Sequence, residues 1–257
     1  MTKAKSPLSA RIKHFRNLAL LVIGLGALVW GIQWVTYARQ PLPEAVQSME
    51  SNDVLLITED PWLTFSPAMG SYDSGFIFYP GGRIHPAGYA PLLRSIALHG
   101  YLVVVPEMPL NIAAFRPNLA DKIIAHFPEI DQWVIGGHSV GGTMAAQYAH
   151  DHADTISGVV IWASYPANNA DLSGTALSVA SIYGSNDPRV NDDSFLERRT
   201  LLPANALITR IDGGDHHQFG SYEIKPEDHH ATISRAAQQE QIVQATLTLL
   251  SQASGEQ

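Results

Sequence analysis

Cysteine is absent from the 257 residues of this chain. No disulfide can form, and neither a thiolate nucleophile nor a thiolate zinc site is possible. Because chains without cysteine occur in both reducing and oxidising compartments, this absence does not assign a compartment. Charged residues are also few, at 16% against 46% hydrophobic residues, which provides enough apolar material for one sizeable core.

Basic residues are scarce in most of the chain. Residues 41–257 carry ten Lys or Arg against all 24 Asp or Glu, a net charge of −14. A body this acidic repels phosphate backbones, so we expect no nucleic-acid partner. The first forty residues contain no Asp or Glu. They hold the other six basic residues, which are Lys3, Lys5, Arg11, Lys13, Arg16 and Arg39.

An uncharged stretch of 21 residues, 18–38, lies among these basic residues. As a helix it would measure about 31 Å, the thickness of the hydrocarbon core of a bilayer. Five basic residues precede it and only Arg39 follows closely, so the positive-inside rule places the N-terminus in the cytoplasm and the rest outside. We predict a basic cytoplasmic tail (residues 1–16), a transmembrane anchor (17–38), a polar linker (39–52) and a folded body (53–257).

Two other interpretations of the apolar stretch compete with an anchor. A cleaved signal peptide would leave the protein secreted, but its apolar region usually spans only about 7–15 residues. A buried helix of a soluble protein would normally carry a polar stripe. Here only Gln33 and Thr36 interrupt the apolar run near its end. The length and composition therefore favour the anchor.

The body alternates short apolar runs with helical patterns of ten or more residues, which is typical of a mostly parallel sheet flanked by helices. The first two strands are expected to form an antiparallel edge. Only 14 residues separate Ala163 from Ser178, too few for a large cap domain. The predicted strands are 54–58, 63–66, 75–79, 101–106, 132–136, 158–163, 178–183 and 206–211, and the predicted helices are 86–99, 118–126, 139–152, 193–202 and 232–251.

The pattern Gly137-x-Ser139-x-Gly141 lies between a predicted strand and a predicted helix. In this context the turn forces the serine into strained backbone geometry and brings strand and helix very close. Side chains in place of Gly137 and Gly141 would clash, and the Ser139 hydroxyl would project above the sheet. The alternative is an ordinary glycine-rich helix start.

A serine hydroxyl needs an imidazole to take its proton and a carboxylate to orient that imidazole. Asp187 directly follows one predicted strand and His216 lies in a glycine-rich loop after the next, which is the expected order Ser, acid, His. His217 is the alternative base, since the two adjacent rings cannot both point the same way. A turn residue at Asp187 and functionless loop histidines are the competing interpretations.

Two backbone donors are needed for the negative oxygen of a tetrahedral intermediate. The amide of Val140, directly after the serine, is one candidate. Gly82 is the other, because the glycines of Pro80-Gly81-Gly82 let the backbone approach a substrate closely. We expect no metal site, since the adjacent histidine pairs lack both a helical His-Glu-x-x-His spacing and a coordinating cysteine.

Four segments together resemble the α/β-hydrolase superfamily, and most of all its compact bacterial branch of dienelactone-hydrolase-like shape. The resemblance covers residues 53–251 and implies a serine hydrolase fold without cofactor, with Ser139 as nucleophile, Asp187 as acid and His216 as base. Pro80-Gly81 replaces the frequent His-Gly opening of the oxyanion loop, and the cysteine nucleophile of dienelactone hydrolases is absent. The four segments are 78–83, 136–142, 183–187 and 213–220.

The expected function is that of a membrane-anchored serine hydrolase, which cleaves an ester or similar acyl substrate outside the cytoplasm through an acyl-enzyme. The substrate is a small-molecule or lipid-like acyl compound. Two alternatives stay open at this point: acyl transfer to an alcohol or amine by the same triad, and a non-catalytic binding or scaffold protein of the same fold.

Overall fold

The computed structural model describes residues 7–69 and 72–255. It forms two compact units, Met1–Tyr37 and Ala38–Gln257. The described part of the first unit contains one helix, α1 (Pro7–Thr36), whose large apolar side chains between Phe15 and Ile32 are exposed. Its stretch His14–Gln33 is long and apolar enough to cross a membrane, with a mean hydropathy of 1.8, and a signal sequence has the same properties. The predicted tail is partly helical, and its residues 1–6 lie outside the described residues.

The second unit is built on an eight-stranded sheet. Its strands are β1 (Leu55–Thr58), β2 (Leu63–Pro67), β3 (Ser74–Tyr79), β4 (Leu102–Val105), β5 (Gln132–His138), β6 (Gly158–Trp162), β7 (Ser178–Gly184) and β8 (Leu207–Ile211). All eight predicted strands are confirmed, with ends within two residues of the prediction. Their order in the sheet is β1-β2-β4-β3-β5-β6-β7-β8. β1 and β2 are antiparallel, β2 also pairs antiparallel with β4, and every other pairing is parallel.

Helices cover both faces of this sheet. α3 and α7 pack on one face, and α4, α5 and α6 pack on the other. Successive strand residues point to opposite faces, so Phe76 and Phe78 join the first core while Ile77 and Tyr79 join the second. The helices of this unit are α2 (Pro43–Gln47), α3 (Ala90–Ala97), α4 (Ala120–His126), α5 (Val140–Asp151), α6 (Asp192–Arg198) and α7 (Arg235–Ser254).

The connection between β6 and β7 bears on access to the sheet edge. Its residues 163–177 are all described and contain no helix or strand. The prediction of a mostly parallel α/β sheet without a large cap domain is therefore confirmed.

The segment predicted as a polar linker is hydrogen-bonded to the body. Ala38 and Ala45 are buried, and isolated β-bridges join Arg39 to Ile84 and Pro41 to Tyr222. The linker prediction rests on its polar side chains, and these are mostly exposed here. The backbone groups of residues 39–42, however, form hydrogen bonds with two loops of the body.

Candidate active site

The carboxyl ends of the parallel strands β3, β5, β7 and β8 lie at one edge of the sheet. The loops that leave this edge carry the predicted site residues. Gly82 follows β3, Ser139 follows β5, Asp187 follows β7 and His216 follows β8. The topology therefore brings four distant parts of the chain to one place.

Ser139 lies between the last residue of β5 and the first residue of α5, in the strained conformation φ 54°, ψ −123°. A Cβ at Gly137 would come within 2.6 Å of the Tyr79 carbonyl oxygen, and a Cβ at Gly141 would overlap the carbonyl oxygens of Tyr79 and Pro80. Both glycines are thus required by close backbone contact, as the sequence pattern predicts.

His216 and Asp187 form a buried pair. Nδ1 of His216 lies 2.7 Å from Oδ2 of Asp187, and only 3% and 1% of the two residues are exposed. The other carboxylate oxygen accepts the amides of Arg189 at 2.7 Å and Val190 at 3.2 Å. Because an ionised carboxylate only accepts hydrogen bonds, Nδ1 carries the proton and Nε2 keeps a lone pair. An imidazole in this state is prepared to act as a base.

His217, the alternative base, has different neighbours. Its Nδ1 lies 3.4 Å from the Tyr222 hydroxyl and its Nε2 lies 3.9 Å from Oδ2 of Asp228. Burial, followed by the nearby His216, lowers the pKa of His217 to about 4. Of the two adjacent histidines, His216 is the one that contacts the carboxylate of Asp187.

The two predicted oxyanion donors are neighbours in space. A Cβ at Gly82 would lie 3.1 Å from Cγ1 of Val140. Within the described part of the chain, neither the Gly82 amide nor the Val140 amide has an acceptor. Val140 is the first residue of α5, where a backbone N–H has no partner within the helix. One free amide at the serine turn and one in the loop after β3 match the requirement for two donors to a negative oxygen.

Histidine side chains are common metal ligands, and this part of the chain contains two adjacent pairs of them, His216–His217 and His229–His230. Over residues 7–69 and 72–255, no three His, Asp or Glu side chains are grouped so that they could hold a metal ion. The adjacent histidine pairs therefore do not form a cluster with further ligands.

Comparisons with known proteins agree with this fold. The model of the alpha/beta hydrolase family matches residues 75–240. The chain belongs to this family. No curated protein sequence matches it.

Solved structures similar to this alpha/beta hydrolase include three enzymes. Thermogutta terrifontis esterase 2, phosphorylated by paraoxon, has 11% identity and a TM-score of 0.55 over 79% of this chain and 95% of that one. Est1E from Butyrivibrio proteoclasticus has 12% identity and a TM-score of 0.53 over 77% and 100%. An alpha/beta hydrolase from a lagoon-sediment metagenome has 16% identity and a TM-score of 0.53 over 65% and 91%.

The loop that carries His216 in this alpha/beta hydrolase is shaped by Asp215, which is fully buried. One of its carboxylate oxygens accepts the amides of His217 and Gln218, and the other accepts the amides of His230 and Ala231. Gln238 of α7 closes the arrangement, since its side chain accepts from the Asp215 amide and donates to the Asp215 carbonyl. Asp215, the residue directly before His216, thus fixes this loop to the body.

A second buried connection runs from the oxyanion loop to the histidine loop. The hydroxyl of Tyr89 accepts from the Gly81 amide at 3.0 Å and lies 2.8 Å from Nδ1 of His138. Nε2 of His138 lies 3.1 Å from the backbone oxygen of His216. A carbonyl can only accept, so Nε2 carries the ring proton and Nδ1 accepts from Tyr89.

His138 is neutral because it is buried. Burial lowers the pKa of His138 well below its usual value, with the charge of His216 as the next cause. Sequence analysis missed both Tyr89 and His138. Only the position of His138 directly before Ser139 hinted at a role, because the contact to Tyr89 exists only in the folded protein.

Replacing Tyr89 by Phe tests this connection. The change leaves the Gly81 amide and the buried His138 nitrogen without a partner, each at a cost of about 1–3 kcal/mol. We expect the free energy of unfolding to fall by about 2–6 kcal/mol, measured by denaturant unfolding of the full chain in detergent. Tyr148→Phe is the matched control, since that hydroxyl donates to the half-exposed Asp121, where water can replace it. Equal losses in both variants would contradict the proposed strength of the connection.

His217 predicts a pH dependence of stability. Its pKa is about 4 when folded and about 6.5 when unfolded, so the unfolded chain binds more protons between these values. The free energy of unfolding should therefore fall as the pH falls from 6.5 to 4, by up to about 1.4 kcal/mol per pH unit for this residue. Unfolding measured from pH 7 to 4.5 should show a smaller slope in His217→Gln. Parallel pH profiles of the variant and the unchanged protein would refute the prediction.

Proposed function

We propose that this alpha/beta hydrolase is a membrane-anchored serine hydrolase, which cleaves an ester or similar acyl substrate through an acyl-enzyme. The observation that carries the proposal is the buried hydrogen bond of His216 to Asp187, at the same sheet edge as the strained Ser139. Hydrolysis is the preferred reaction because solved structures of the same fold include esterases.

In the first half of the reaction, Oγ of Ser139 attacks the acyl carbon while Nε2 of His216 takes the hydroxyl proton. The amides of Gly82 and Val140 donate to the oxygen that becomes negative. Asp187 stabilises the imidazolium at its Nδ1 side. The imidazolium then gives its proton to the leaving oxygen as the bond from the acyl carbon to that oxygen breaks.

In the second half, His216 takes a proton from water as the water oxygen bonds to the acyl carbon. The imidazolium returns this proton to Oγ of Ser139 when the acyl–serine bond breaks. The products are the acid and the free enzyme. An alcohol or amine in place of water would give acyl transfer with the same steps, so product analysis separates the two reactions.

Ser139→Ala removes the nucleophile and is expected to abolish both turnover of p-nitrophenyl acetate and labelling by a fluorophosphonate or by paraoxon, while the protein stays folded. Mass spectrometry of the unchanged protein should locate the label on Ser139. His216→Gln should lower turnover by at least about a thousandfold, because triad members act as a unit. His217→Gln, the matched neighbour, should keep turnover within about tenfold.

Two outcomes contradict the triad proposal. Undiminished esterase activity in Ser139→Ala would remove the nucleophile assignment. A folded, unlabelled and inactive protein would favour a binding or scaffold protein of the same fold, and partner capture on the anchored protein would follow.

Anchoring is the other part of the proposal, with the N-terminus in the cytoplasm and residues 38–257 outside it. The length and hydropathy of His14–Gln33 support it. The full chain should sediment with membranes, resist alkaline carbonate extraction and keep its own N-terminus. Release by carbonate, or a mature N-terminus beyond Thr36 in the medium, would instead establish a cleaved signal and secretion.

A further inference from the structure

Residues 38–42, called the strap here, lie between two loops of the body. On one side, Arg39 donates its amide to the Arg83 carbonyl at 2.7 Å and accepts from the His85 amide at 3.1 Å. On the other side, the Gln40 carbonyl accepts from the Glu223 amide at 2.9 Å, and the Leu42 amide donates to the Ser221 carbonyl at 3.0 Å. The strap thus pairs alternately with the loop after β3 and with the loop after His216.

The first of these loops carries the proposed oxyanion donor Gly82. The peptide groups around it are fixed: the Gly81 amide donates to Tyr89, and the Arg83 amide donates to the Asn111 carbonyl at 2.7 Å. The strap fixes the third group, the Arg83 carbonyl. Between these contacts the Gly82 amide has no acceptor in the described part of the chain, so the surrounding bonds decide where it points.

The second loop continues from His216 and His217. The guanidinium of Arg39 lies 3.0 Å from Oδ2 of Asp228 and donates to the Glu223 carbonyl at 3.3 Å. The same Asp228 oxygen lies 3.9 Å from Nε2 of His217. Arg39 therefore joins the oxyanion loop through its backbone and the histidine loop through its side chain.

These contacts belong to a chain segment that directly follows the apolar helix. α1 ends at Thr36, and Ala38 is already buried in the second unit. The strap is thus the first part of the body after the proposed anchor, and it contacts both halves of the proposed site.

We propose that the strap is a positioning element for catalysis, with Arg39 as its main residue. It holds the Gly82 amide and the loop of His216 in fixed positions relative to each other. The proposal rests on the serine hydrolase function proposed above. A misplacement of about 1 Å in such groups can cost about a hundredfold in rate, so loosening one side of the strap should lower turnover without removing the fold.

The fold is expected to survive because other contacts hold the same loops. The Ser221 amide donates to the Gly88 carbonyl at 2.6 Å, which joins the loops directly. Asp228 is exposed enough for water to replace Arg39. A charge removed here should therefore change positioning more than stability.

The test compares single substitutions in the full chain in detergent. Arg39→Ala should lower kcat for p-nitrophenyl acetate about tenfold with KM changed less than about twofold, because the strap does not bind the substrate. Arg39→Lys should recover most of the loss, since an ammonium can still pair with Asp228. Arg235→Ala is the matched control: it breaks another 3.0 Å ion pair between the N-terminal segment and the body, to Glu44, and should leave kcat unchanged.

Leu42→Pro is a second variant that changes no charge. Leu42 has φ −73°, a value that proline adopts, so the change removes the N–H that donates to Ser221 without a new backbone angle at this residue, and it replaces the half-buried leucine side chain by the proline ring. We expect a loss of kcat of about threefold. Normal kcat in both Arg39→Ala and Leu42→Pro would overturn the proposal. It would also be overturned if kcat fell in Arg39→Ala, Leu42→Pro and Arg235→Ala alike, in proportion to a lower unfolding temperature.

Amide hydrogen exchange provides a readout that does not need turnover. In Arg39→Ala, exchange should become faster at His85 and in residues 221–223, and it should stay unchanged in Arg235→Ala. Faster exchange in a protein that neither turns over esters nor reacts with a fluorophosphonate would show that the hydrolase proposal fails and the positioning role fails with it. Unchanged exchange in an active protein would reject the strap alone.

Discussion

The arrangement at the sheet edge depends on one buried contact, the 2.7 Å hydrogen bond between His216 and Asp187. Two loops after neighbouring strands must place an imidazole and a carboxylate with their atoms in line, and both groups are removed from water. An unsatisfied carboxylate at this depth would be costly, so the amides of Arg189 and Val190 bind its other oxygen. On the histidine side, Asp215 and His138 fix the backbone.

Three neighbouring histidines, His138, His216 and His217, lie in different electrostatic surroundings. His138 and His217 are buried, and burial lowers the pKa of each, so both stay neutral near pH 7. His216 is the one that contacts a carboxylate directly. A positive imidazolium can therefore be stabilised at His216, while two neutral rings beside it add no competing charge. The rings of His138 and His217 lie 4.7 and 5.4 Å from the ring of His216, so burial and one carboxylate give three neighbouring rings different surroundings.

Sequence reasoning predicted the parts that depend on local pattern. Apolar runs bounded by turns located all eight strands, and glycine spacing located the turn at Ser139, since both signals lie within a few residues. Adjacent histidines could not be separated, because their directions depend on the conformation of the loop. Tyr89 and His138 lie 49 residues apart, and no local pattern indicates that a hydroxyl, an imidazole and two backbone groups will share one buried line.

The segment after the apolar helix shows why polar composition is a poor guide to domain boundaries. Gln40, Pro41 and Pro43 read as a linker, yet backbone pairing does not depend on apolar side chains, and a single bonded segment can connect two loops. A chain shortened to begin at Pro43 would keep α2 and the whole sheet but would lose every strap contact, because the strap ends at Leu42. A domain boundary that keeps these hydrogen bonds intact lies before Ala38, where the second compact unit begins.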